Sequence, residues 1–219
     1  MNIEDNVKHF LQELPENVTL IAVTKTVDVN KIKVALKAGV TNIGENKVQE
    51  ALSKYSELKE FNLKWHLIGS LQTNKAKKAV QIFDLIHSID TLKLAEVIDK
   101  EALNIGKVQD VLLQINVSKE ETKSGFEIEN LFEVLLELSK LKNIRIRGLM
   151  TIANNTQEET KIRDCFKKLR ELKEEINNKA FFENELTLLS MGMTNDYKIA
   201  ISEGTSMVRL GRAIFGDRN

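Results

Sequence analysis

Apolar and polar positions alternate along this chain on two periods, and the periods take turns. Short apolar runs recur at TLIAVTK, TNIGE, KWHLIGS, DLIHSI, VLLQINV, IRIRGLM, LTLLSMG and MVRLGRAIFG. Each has the length of a buried strand and is bounded by polar or glycine-bearing residues. Between them lie VNKIKVALKAG, TLKLAEVIDKEALNIG, IENLFEVLLELSKL and TQEETKIRDCFKKLRELKEEINN, with apolar residues three and four apart. That spacing gives an amphipathic helix. Thr156 followed by Glu159 predicts a capping box, and Gly39 and Gly106 predict helix C-caps. The opening MNIEDNVKHFLQEL predicts one more helix, over residues 2–14, ahead of the first strand.

Strands separated by helices run parallel, because a parallel pair needs a crossover connection. Eight such runs predict an α/β fold, a closed (β/α)8 TIM-type barrel with an extra N-terminal helix. An open sheet is the alternative, and it turns on the two short runs TNIGE and DLIHSI. No glycine- or serine-rich linker interrupts the pattern, so residues 1–219 read as one domain. In such a barrel the segments just past each strand line the mouth that carries chemistry. Here they are Lys25-Thr26, Glu45-Asn46, Ser70 to Lys75, Ser118-Lys119 onward, Ala153-Asn154-Asn155, Gly192 to Asn195, and Gly211-Arg212. All are polar, and the opposite ends of the strands show no such concentration.

Lys25 is the first candidate among them. A lysine at the inner end of a barrel strand is desolvated, which lowers its pKa and favours the neutral amine. A neutral amine attacks a carbonyl to form a Schiff base. Position alone favours the plainer reading, a lysine that snorkels to solvent. The last two strands change the balance. LTLLSMGMTNDY runs into Ser190, Gly192 and Thr194 with a helix expected near Asn195, and MVRLGRAIFG runs into Gly211-Arg212. Barrels bind phosphate with loops at this place, where glycine admits the backbone N–H groups and a helix end adds positive charge. Plain turn glycines are the competing reading. An imine-forming lysine and a phosphate site together suit pyridoxal 5′-phosphate (PLP) or a sugar-phosphate aldolase substrate.

The runs IAVTKT, IGENKVQE, WHLIGSLQTNKAK, IHSID, INVSKEETKSGF, IRGLMTI and LSMGMTNDYKIAISEGTSMVRLGRAIFG resemble the pyridoxal phosphate homeostasis proteins. These are relatives of the N-terminal barrel of alanine racemase, and the resemblance covers about residues 20–217. It implies that Lys25 carries PLP as a Schiff base and that Arg209 faces the pyridine nitrogen. It further implies that Gly211 and Arg212 offer backbone N–H groups to the phosphate, that Ser190 offers its hydroxyl, and that Asn46 and His66 line the pocket. His66, between Trp65 and Leu67, reads equally as a satisfied core histidine. Two positions depart from the family pattern. Ser70 stands where many members have proline, and Arg212 where others have threonine, so any hydroxyl contact to phosphate there passes to backbone or charge.

Composition narrows the function classes. Basic and acidic residues balance at 32 each, so no nucleic-acid footprint is expected. No secretory segment and no apolar run of the roughly 20 residues that span a bilayer is visible, which predicts a cytoplasmic protein off the membrane. The single cysteine, Cys165, falls in a helical pattern and reads as a packing residue, and no metal site is expected. The lysines of TNKAKK read as a solvated helix face, and Tyr55 and Tyr197 as surface or packing residues. His9 and His87 have no partner at metal-ligand spacing.

An arginine at the pyridine nitrogen leaves the ring unprotonated and a poorer electron sink. The chain ends a few residues past the last predicted strand, so no second, substrate-positioning domain is expected. The resulting expectation is a monomeric, non-catalytic PLP carrier whose partners are PLP, PLP-dependent apo-enzymes and free amino acids. The alternatives are a low-activity amino-acid racemase, a class I aldolase, and an interaction module that uses the barrel as a scaffold.

Overall fold

The computed structural model describes residues 2–118, 124–154 and 156–216. After helix α1 (Ile3–Glu13), strands and helices alternate: β1 (Thr19–Val23), α2 (Val29–Lys37), β2 (Asn42–Glu45), α3 (Val48–Leu58), β3 (Lys64–Leu67), α4 (Ala76–Ile82), β4 (Leu85–Ile89) and α5 (Leu92–Leu103). They continue with β5 (Gln109–Gln114), α6 (Leu131–Leu138), β6 (Ile144–Met150), α7 (Glu159–Asn178), β7 (Leu188–Met193), α8 (Tyr197–Ser202), β8 (Met207–Leu210) and the short α9 (Arg212–Phe215). Among the described residues the eight strands close in sequence order into one parallel barrel, β8 pairing with β1. The short second and fourth strands both join the ladder, which excludes the open sheet.

The strands are apolar on both faces because helices cover the outside and side chains fill the inside. The outer core joins helix residues such as Ile32, Leu94, Leu135 and Phe166 to outward strand residues such as Ile43, Leu67, Leu113 and Val208. A separate inner cluster, Ile21, Leu85, Leu112, Met150 and Met207, fills the lumen. Alternation assigns strand residues to one of these two layers, except where register shifts at β4–β5, β5–β6 and β7–β8 interrupt it. Arg209 therefore shares the lumen with Met207, and Ser190 with Leu188.

Helix α1 packs beside the closure of the barrel. The Asn6 amide donates to the carbonyl of Ile214 at 3.0 Å, and the Tyr197 hydroxyl donates to Glu13 at 3.0 Å while its ring packs edge-on against Phe10. Gly39 follows the α2 C-cap at φ +115°, as predicted. The capping box does not form. Helix α7 starts at Glu159 with Glu158 as N-cap, and the Thr156 hydroxyl accepts instead from the Glu158 N–H at 3.1 Å. A hydroxyl two residues ahead of the cap closes a local turn and cannot reach the N3 amide. Cys165 is buried on α7, and Lys77 and Lys78 are exposed, as expected. No helix among the described residues is long and apolar enough to cross a membrane.

Candidate functional site

Lys25 occupies a half-buried turn directly after β1. The Val27 N–H donates to the Thr24 carbonyl at 3.0 Å, so residues 24–27 form a β-turn with Lys25 and Thr26 in its centre. Thr26 adopts φ +60°, a left-handed conformation disfavoured for a β-branched residue. β1 and β8 are neighbours, with Ile21 opposite Arg209 and Ala22 opposite Leu210. The Lys25 turn and the Gly211-Arg212 turn thus lie side by side just beyond the ends of adjacent strands. Asn46 directly follows β2, on the other side of β1. Its backbone lies against Gly69, where a Cβ would fall 2.4 Å from the Asn46 carbonyl oxygen.

Beneath this mouth a chain of hydrogen bonds crosses the lumen. The Arg209 guanidinium donates to Ser190 Oγ at 2.6 Å and to the Thr151 carbonyl at 2.9 Å. His87 joins Ser190 Oγ through Nδ1 and His66 Nδ1 through Nε2, both at 2.9 Å, and His66 Nε2 meets Asn42 Oδ1 at 2.9 Å. The end groups set the direction. A guanidinium only donates and the Asn42 oxygen only accepts, so His66 is protonated at Nε2 and accepts at Nδ1. His87 must then donate from Nε2 and accept at Nδ1, and Ser190 takes a proton from Arg209 and gives its own to His87. Every link runs one way, from arginine to asparagine.

That arrangement requires both imidazoles to be neutral. Burial pushes His66 down to about 4, partly opposed by Asp84. Burial, together with His66 and Arg209, holds His87 well below the usual histidine range. Burial also lowers Arg209 to about 10, with Asp196 opposing, which still leaves it charged at neutral pH. Asp196 is itself raised by burial, and its carboxylate takes the Met193 N–H at 2.5 Å.

Glycines shape the loops after β7 and β8. Gly192 has φ +95°, and a Cβ there would fall 2.6 Å from the Ala200 Cβ, so only glycine fits between β7 and α8. Gly211, the N-cap of α9, makes no side-chain cap, and Arg212 opens the helix with its side chain exposed. The first N–H groups of that turn therefore have no side-chain oxygen from the cap and are available to an anion.

The predicted residues thus spread over one contiguous arc of strands, β7-β8-β1-β2-β3. Lys25, Asn46, Gly211 and Arg212 lie at the mouth, while Arg209, Ser190 and His66 lie in the lumen below it. Both ring nitrogens of His66 are engaged, as in the satisfied core histidine of the sequence reading. The Ser190 hydroxyl is committed to Arg209 and His87, not turned to the loops above. Lys119 and Asn155, counted with the mouth segments in the sequence, lie outside the described residues. Sequence reasoning missed His87, Asp196 and the Thr151 carbonyl. The available signal for His87 was a histidine in the middle of a strand adjoining the strand of His66.

The family model described as alanine racemase, N-terminal domain matches residues 1–219. A pyridoxal phosphate homeostasis protein of Aquifex aeolicus is 44% identical over 199 residues, 91% of this chain and 86% of that one. One of Synechocystis is 42% identical over 94% of both chains. PipY of Synechococcus elongatus, solved with PLP bound, superposes with a TM-score of 0.92 at 38% identity, covering 98% of this chain and 100% of that one. An alanine racemase of Clostridium difficile shares the fold at a TM-score of 0.81 and 17% identity, with 99% of this chain and 57% of that one covered.

Proposed function

Because the chain belongs to the alanine racemase N-terminal domain family and, within it, to the pyridoxal phosphate homeostasis proteins, we propose that it binds PLP at the barrel mouth and holds, buffers or delivers it. The observation that carries this reading is the adjacency of the Lys25 turn to the uncapped start of α9 across the β1–β8 ladder. When bound, the cofactor supplies an aldehyde that condenses reversibly with an amine as water leaves. Lys25 is the amine for that Schiff base. The start of α9, with Gly211 and Arg212, receives the phosphate, and Asn46 flanks the pocket from β2.

Arg209 disfavours broad PLP chemistry while leaving racemisation open. Held by Ser190 and the Thr151 carbonyl, its guanidinium keeps its protons at neutral pH and so cannot take one from a ring nitrogen. An unprotonated ring withdraws electrons weakly. The bound cofactor is then exchanged by an incoming amine, from a free amino acid or from the lysine of a PLP-dependent apo-enzyme. The protein acts as a single-domain cytoplasmic monomer in this role.

Delivery is tested by mixing the PLP-loaded protein with a PLP-dependent apo-enzyme while a scavenger removes free PLP. The expected result is activation of the apo-enzyme at a rate that rises with carrier concentration. Activation no faster than spontaneous release of PLP would overturn delivery. Lys25-dependent exchange of an amino acid α-proton with solvent deuterium would replace the carrier by a weak racemase.

A further inference from the structure

The turn that presents Lys25 rests on a buried ion cluster that none of the proposed ligand contacts uses. Glu45 points outward from β2 and is fully buried, and Lys54 on α3 is buried beside it. The Lys54 ammonium donates to Glu45 Oε1 at 2.8 Å, to Glu50 Oε1 at 2.7 Å and to the Thr24 carbonyl at 2.7 Å. Its hydrogens are thereby used up. The Thr24 hydroxyl adds a 2.6 Å bond to Glu45 Oε1, and the Thr26 N–H donates to Glu50 Oε1. The Thr24 carbonyl belongs to the peptide before Lys25, and the Thr26 N–H to the peptide after it. The two ends of the cluster therefore hold the two peptide groups that bracket Lys25.

We propose that Glu45, Lys54 and Glu50 are positioning residues that clamp the 24–27 turn so that the Lys25 amine is held ready for the cofactor aldehyde. This rests on the Lys25 reading above. Thr26 at φ +60° shows what the clamp works against. An L residue in that region carries backbone strain and persists only when its surroundings over-determine it. The Glu50 acceptor on the Thr26 N–H supplies that constraint from α3. Charge distribution agrees with this arrangement. Burial raises Glu45 above the usual carboxylate range against the pull of Lys54 and Thr24. Burial pulls Glu50 up as well, but Lys54 and the Thr26 N–H outweigh it and bring Glu50 below its ordinary value. Glu50 thus remains a charged acceptor at neutral pH, and Lys54 ties it to the interior.

Glu50 is the residue to change, because it is half-exposed and its loss leaves the Lys54–Glu45 pair in place. With PLP as the probe, Glu50→Ala is expected to fold like the parent yet lower the fraction of bound PLP trapped by borohydride on Lys25 roughly tenfold, the scale of one charge-assisted hydrogen bond. Glu50→Gln, which keeps an acceptor, is expected to retain most of the adduct. Thr26→Gly in the Glu50→Ala protein is expected to restore it by removing the strain. In a Lys25→Ala background, Glu50→Ala is expected to leave noncovalent PLP affinity unchanged. An undiminished Lys25 adduct in Glu50→Ala would overturn the clamp while leaving the Lys25 reading intact. A loss of noncovalent affinity in the Lys25→Ala background would also overturn it, since Glu50 would then act on the whole pocket. Absence of a Lys25 adduct in the parent protein would overturn both.

Discussion

Gly148→Ala is expected to yield no folded barrel. Gly148 lies in β6 opposite Leu188 of β7, and a Cβ there would fall 1.8 Å from the Leu188 carbonyl oxygen and 2.6 Å from its carbon. The obstacle is backbone, so no rotamer change relieves it. β6 and β7 would have to part, breaking the register that also pairs Leu149 with Leu189 and Met150 with Ser190. Ser190 would then leave the Arg209–His87 chain, so the damage reaches the lumen beneath the mouth. A destabilisation above about 4 kcal/mol is the exceptional class reserved for such collisions. Soluble yield and denaturant titration are the measurements. An alanine variant with the parent midpoint and slope would show that the two strands do not approach this closely.

Acid is expected to destabilise the protein through its two lumen histidines. In the unfolded chain each titrates near 6.5, whereas in the fold His66 is pushed to about 4 and His87 well below its ordinary value. A depressed folded pKa means that the unfolded state binds more protons, so stability falls as pH drops below 6.5. For His66 the loss reaches about 2 kcal/mol at pH 5 and about 3 kcal/mol at pH 4, and His87 adds to it. The physical event is protonation of an imidazole that must accept a hydrogen bond. Once His87 Nδ1 carries a proton, the Ser190 hydroxyl has no acceptor there and Arg209 faces a second buried cation. Denaturant titrations at pH 7 and pH 5 on the parent and on His66→Gln measure it. The difference between the two pH values is expected to shrink in the variant. An equal pH response in both proteins would show that His66 is not the titrating group.

The barrel was legible in the sequence because its two periods are nearly unmixed. The outer core and much of the lumen are apolar, so most strands read as continuous runs, and each helix carries one stripe. The mouth was legible too, since polar residues crowd one end of the strands. The lumen network was not. His87 and Ser190 are 103 positions apart and meet only because the barrel closes. The Glu45–Lys54 pair was hidden for a related reason. A carboxylate at the end of a strand reads as a mouth residue, and only the docking of α3 over the outer face of β2 gives it a buried partner. Gly148 carried a readable signal, since glycine inside a strand marks close approach of another backbone. The capping box at Thr156 failed because the pattern fixes a spacing but not which residue begins the helix.

Reductive trapping tests the central claim most directly. The protein is saturated with PLP, reduced with borohydride, digested, and mapped for the peptide bearing the pyridoxyl group. The expected result is a single modified site at Lys25, lost in Lys25→Ala. An adduct of undiminished yield in that variant, or one spread over exposed lysines such as Lys77 and Lys78, would contradict a cofactor held on the β1 turn.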